Sequence, residues 1–87
     1  MNFLHYQIKA DPSKIVRVTI NGDATIKLMD PLNFSKYKLG KEHSFQGGVY
    51  PASSVEFRVP HREEWHVVID LGGRSGEIKA SVKLIDC

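Results

Sequence analysis

Apolar and polar residues alternate with period two along most of the chain, the pattern of strands buried on one face. Leu4, Tyr6 and Ile8 share one phase, with His5, Gln7 and Lys9 on the other. Asp11-Pro12-Ser13 interrupts the run, because proline cannot donate to a ladder and Asp and Ser favour turns. Val16, Val18 and Ile20 then oppose Arg17 and Thr19. Asn21-Gly22-Asp23 follows, and Asn-Gly between two alternating runs is a strong hairpin signal. The next run sets Ala24, Ile26 and Leu28 inward and Thr25 and Lys27 outward. These two strands are expected to pair antiparallel.

The second half repeats the pattern. Val55, Phe57 and Val59 alternate with Glu56 and Arg58, and Pro60-His61-Arg62-Glu63-Glu64 forms a polar connection. Trp65, Val67, Ile69 and Leu71 face one way, and His66, Val68 and Asp70 the other. Gly72-Gly73-Arg74-Ser75-Gly76 carries glycines suited to a tight or bulged hairpin. A last strand sets Ile78, Ala80, Val82 and Leu84 against Lys79, Ser81 and Lys83. Six short strands, joined mostly by hairpins, predict an all-β fold: an antiparallel sandwich or partly open barrel forming one compact domain over residues 1–87. A single flat sheet would leave one apolar face wet, and no helix of ordinary length fits.

Residues 31–54 do not follow this rhythm. Asp30 before Pro31 reads as an N-cap with proline at the first helical position. Phe34 and Tyr37, with Leu39, would line one side of a short helical turn ended by Gly40. So long a connection in a small domain is functional or hides an element, and a short strand around Ser44-Phe45 is the candidate.

Composition narrows the function classes. Twelve Lys and Arg against ten Asp and Glu leave a net charge of +2, too balanced for a protein that coats polyanions. A mass of 9.8 kDa predicts about 5,200 Å² of folded surface, enough burial for one core. The run Val67-Val68-Ile69 is far short of the roughly 20 apolar residues of a membrane span. The Met1-Asn2-Phe3-Leu4-His5 start lacks the basic and apolar regions of a signal peptide. The one cysteine, Cys87, allows no internal disulfide, which fits a reducing, cytoplasmic setting.

Three blocks together are similar to a known family: Met1 through Tyr6; Val18 through Tyr50, with Leu28-Met29-Asp30, Asn33-Phe34, Tyr37, Gly40 and Gly47-Gly48; and Trp65 through Gly73. They resemble the bacterial family of the domain of unknown function 1883, over essentially the whole chain. The chain departs from it at Glu63-Glu64, where the family carries a small residue or glycine before the tryptophan. The resemblance implies a compact, mostly β module, found alone or beside TIR domains, with no assigned activity. It names no mechanism, cofactor or substrate.

Candidate chemistry is sparse. His5 and His66 lie on the polar phase of their strands, and His43 and His61 in connections, so surface histidines are the simplest reading. No pair has the i, i+2 or i, i+4 spacing that puts two imidazoles on one metal, and no metal or cofactor is expected. The glycine-rich Gly72–Gly76 lacks the Gly-Lys-Ser/Thr and following helix of a phosphate loop, although Arg74 at its tip is placed to grip an anion. No serine sits in a nucleophile elbow, and Cys87 is terminal.

The aromatics carry more. Tyr6, Phe57 and Trp65 fall on core phases, whereas Phe34, Tyr37, Phe45 and Tyr50 fall inside 31–54, interleaved with Lys36, Lys38, Lys41 and His43. Basic and aromatic residues on one loop suit single-stranded nucleic acid, sugar or an acidic partner. The competing structural reading has the four rings fold the loop down as a lid over an open end of the sandwich. Charge sharpens the contrast: 31–54 holds three lysines against Glu42, leaving nine basic and nine acidic residues elsewhere.

A non-catalytic binding module is therefore expected, recognising an anionic ligand or acidic protein surface through Lys36, Tyr37, Lys38, Lys41, His43 and Tyr50, with His66 and Arg74 as neighbours. Nucleic acid is the less favoured partner. Two alternatives belong to other classes: a self-associating module, such as a homodimer paired through its first or last strand, and an enzyme with a cross-strand site near His66 and Asp70.

Overall fold

A computed structural model describes residues 3–71 and 78–86. Its elements run β1 (Phe3–Ala10), β2 (Lys14–Ile20), β3 (Ala24–Met29), α1 (Pro31–Lys38), β4 (Gln46–Tyr50), β5 (Ser53–Arg58), β6 (Glu63–Asp70) and β7 (Ala80–Asp86). They form an all-β sandwich: a four-stranded sheet ordered β1-β6-β3-β4 faces a three-stranded sheet ordered β5-β2-β7, with every pairing antiparallel. The folded surface is 5378 Å², close to the value expected from mass.

The core lies where the inward phases meet. Val16 and Val18 of β2 face Ile26 and Leu28 of β3 and Val67 and Ile69 of β6, all essentially inaccessible to solvent. Tyr50 packs edge-on to Phe57 at 6.2 Å between centroids, at the border where β4 passes into β5. Trp65 closes the core at one end, its indole N–H donating to the His61 carbonyl at 3.1 Å.

The strand count and the connections correct the expected topology. A seventh strand, β4, lies at 46–50, just beyond the Ser44-Phe45 candidate. Hairpins do not dominate. Of the links between strands, only β3 to β4, through α1, stays within one sheet. β2 and β3 do not pair: they lie in opposite sheets, and Gly22 lacks the positive φ of a type I′ turn. Asn21 instead prolongs the β2–β7 pairing, its N–H donating to the Lys79 carbonyl and its Oδ1 accepting from the Lys79 N–H. The physical reason is burial. Both runs are buried deeply on one phase, and facing each other across the core removes more apolar surface than lying side by side. The expected Gly72–Gly76 turn and Arg74 lie outside the described residues, but the strands it joins, β6 and β7, occupy different sheets.

The helical turn takes its expected place, except that Leu39, expected to line it with Phe34 and Tyr37, is its C-cap and is 70% exposed. Asp30 is the N-cap, extended at φ −77° and ψ 172°, with its carboxylate accepting the Asn33 N–H at 2.8 Å and Pro31 opening the helix. Gly40, at φ +71°, ends it in a Schellman arrangement: Gly40 N–H donates to Tyr37 and Lys41 N–H to Lys36. Two turns are too few for a stable isolated helix, so α1 depends on what it packs against.

Candidate functional site

The outer face of the four-stranded sheet is where α1 lands. Antiparallel register places Phe3, His5 and Gln7 of β1, His66, Val68 and Asp70 of β6, and Lys27 and Met29 of β3 on that face. A strand with Val68 and His66 on one side and Val67 and Ile69 on the other needs covering twice. Phe34 and Tyr37 supply the second cover, forming a small core with Met29, Val68 and Phe3. The lid is thus real but sits on the sheet's outer face, not over an open end. Of the four rings expected in it, Phe34 and Tyr37 are buried there, Tyr50 belongs to the main core, and Phe45 remains 43% exposed.

Beneath Phe34 lie two histidines from neighbouring strands. His5 Nε2 and His66 Nδ1 share a hydrogen bond of 2.7 Å. Phe34 stacks on both imidazoles, at 4.2 Å and 4.4 Å between centroids with the planes within 14° and 12° of parallel. His66 is only 8% exposed, which corrects its reading as a surface histidine. One nitrogen of the bond must carry the proton and the other must accept it, so the pair cannot be doubly protonated as it stands. Burial holds both imidazoles below the ordinary histidine range; His66 and Lys38 push His5 the same way, whereas Glu64 opposes the shift of His66.

A second cluster pins the other flank of the helix. The Tyr37 hydroxyl donates to Asp70 Oδ2 at 2.9 Å, and burial, aided by that carboxylate, pushes the phenol well above its ordinary range. The Lys27 ammonium lies 4.9 Å from the Tyr37 ring centre and 4.5 Å from that of Phe45, and donates to His43 Nε2 at 3.1 Å. His43 must then carry its proton on Nδ1, which donates to the Lys41 carbonyl at 2.9 Å. This chain of contacts holds the segment after α1 against β3.

The expected site residues therefore divide. Lys38 and Lys41 are exposed and Lys36 half-buried, around the buried Tyr37. His43 and His66 act as internal fasteners, and Tyr50 faces the sandwich core. Among the described residues the side-chain ion pairs are Lys14–Asp86 and Arg17–Glu56, neither of which takes up a lysine of this segment. Lys38 instead lies 4.8 Å from the Phe34 ring centre. His66 and Asp70 share the outer face but not a bond: His66 is tied to His5, and Asp70 to Tyr37. A pocket of about 260 Å³ between the start of α1 and β4 includes Asp30, Asn33 and Ser44, which bond to one another. A groove of about 520 Å³ at the far end of β1 and β6 mixes Lys9 and Arg62 with Asp11, Glu63 and Glu64. Among the described residues no helix is long and apolar enough to cross a membrane.

Sequence reasoning did not single out Lys27, the His5–His66 pair as a unit, or Asp70 as the acceptor for Tyr37. Their signal was the run Val67-Val68-Ile69, which admits no solvent-facing phase and so implies a cover on each side.

No curated protein and no solved structure matches the chain. A family model does: the domain of unknown function DUF1883 spans residues 1–87. With the match running over its whole length, the chain belongs to the DUF1883 family.

Proposed function

We propose that the chain is a non-catalytic binding module that recognises an anionic ligand, in the first place an acidic protein surface, through α1 and the residues that follow it. The observation that carries this reading is the division of labour in that segment. Phe34 and Tyr37 anchor it to the sheet, while Lys36, Lys38 and Lys41 have no carboxylate partner among the described ion pairs. Elsewhere acids and bases balance, so the segment holds the whole net charge. A fixed cluster of cations on a rigid scaffold steers and orients an anion at little ordering cost. The bonds of His5 to His66, of His43 to Lys27 and the Lys41 carbonyl, and of Tyr37 to Asp70 support a non-catalytic role, since they tie these side chains into the fold. In this reading the module works in the cytoplasm, and Arg74 stands as a further candidate contact.

The test is a titration with poly-L-glutamate at low salt, with a single-stranded oligonucleotide in a parallel arm. Wild-type protein is expected to bind the polypeptide, and Lys36→Ala, Lys38→Ala and Lys41→Ala together to weaken it at least about tenfold, with the difference shrinking as salt screens the charges. Equal affinity of the triple variant sinks the reading. Stronger binding of the oligonucleotide moves it to nucleic acid.

A further inference from the structure

Among the described residues the sandwich has four edge strands, β1 and β4 in one sheet and β5 and β7 in the other. An edge presents unpaired backbone N–H and C=O groups, and natural sheets guard such edges with charge. Three of these edges follow that rule. β1 carries Lys9, β5 carries Glu56 and Arg58, and β7 carries Lys83 and Asp86. β4, Gln-Gly-Gly-Val-Tyr, has no charged side chain. Its outward phase is apolar: Val49 is 78% exposed, and Phe45 just before the strand, packed against Lys27 and His43, is still 43% exposed.

We propose that β4 is a self-association edge, pairing antiparallel with β4 of a second copy about a two-fold axis at Gly48. The sequence of the strand is complementary to itself in that register. Gly48 meets its own symmetry mate, Gln46 lies opposite Tyr50, and Val49 lies opposite Gly47. Each Val49 then covers a position with no side chain of its own. No like charges meet across the axis, as they would if a β7 edge paired through Lys83. The result joins two four-stranded sheets into one continuous sheet and shields Val49, which nothing in a single copy covers. The occupant is a second copy because the edge is neutral and matches itself, whereas a charged partner would find nothing on it to pair with. This proposal does not rest on the binding role of α1, since it uses the β4 edge and none of Lys36, Lys38 or Lys41.

The experiment measures mass by sedimentation over about 10 µM to 1 mM, the range in which a small, strand-only interface associates. A dimer fraction that rises with concentration is expected, and Val49→Lys should lower it at least about tenfold while Val49→Thr preserves it. Val49 is exposed, so neither change disturbs the core, and an unchanged thermal transition verifies this. In a Cys87→Ser background, Gly48→Cys is expected to oxidise to a cross-linked dimer, and Ser81→Cys on β7 is not. A strict monomer at all concentrations overturns the proposal. Dimerisation insensitive to Val49→Lys, or cross-linking through Ser81→Cys instead of Gly48→Cys, overturns it as well.

Discussion

Single residues show how little latitude the backbone leaves at β4. Gly47 adopts φ +134°, and a Cβ there would lie 1.9 Å from the Ile26 carbonyl oxygen. Neither strain nor clash is relieved by moving a flexible side chain, since the obstacle is main chain. Gly48 next to it has open space around its Cβ position. Gly47→Ala is therefore expected to cost at least about 2–3 kcal/mol in urea unfolding. Gly48→Ala should stay within about 0.5–1 kcal/mol of wild type. Equal effects at the two positions would contradict this account. Asp30 belongs to the same scale: its cap was legible as Asp-Pro because capping is local chemistry, complete within three residues.

At the scale of the element, α1 is a clasp whose seat contains titratable groups. It rests through Phe34 on the His5–His66 pair, faced by Lys38 and Asp30 from the helix segment and by Glu63 and Glu64 from β6. Both imidazoles are held below their ordinary range, chiefly by burial. An unfolded histidine binds its proton near pH 6.5, and the folded pair only at lower pH. Between those points the unfolded chain holds more protons, so stability is complete above about pH 6.5 and falls as the pH drops through the window below it. The expected slope is at most about 1.4 kcal/mol per pH unit for each proton taken up. Asp11 and Asp86, held low by Ser13 and Lys14, enter only in more acidic solution. Urea midpoints measured from pH 7.5 to 5 check this, and His66→Gln should flatten the profile. A wild-type profile flat over that range would show that the pair does not carry the coupling.

At the scale of the whole molecule, the topology sets how the chain can fold. Nearly every connection carries the chain from one sheet to the other, so neighbouring runs are not partners, and β1 reaches across the sequence to β6. Local hairpins therefore cannot nucleate the sandwich, and loop closure must precede most of the pairing. Refolding followed by Trp65 fluorescence is expected on the millisecond-to-second scale typical of non-local β topologies. Sub-millisecond folding would mean that a local unit, such as β3-α1-β4, forms by itself first.

The alternation of side chains determined which residues enter the main core and that the class is all-β, and the local chemistry of Asp30-Pro31 and Gly40 determined where a capped helical turn begins and ends. These are properties of one strand or one turn, decided within a few residues. Pairing is not. Asn21-Gly22 has the composition of a hairpin turn, yet β2 and β3 face each other across the core, because burying two apolar faces against one another outweighs a local turn preference. The histidine pair was illegible for the same reason: His5 and His66 each sit on a polar phase, and only the β1–β6 register and the landing of α1 bury His66, bond it to the exposed His5 and stack Phe34 on both rings. Tertiary structure decided which side of the sheet the 31–54 segment covers, and with it which of its residues became fasteners and which lysines stayed outside.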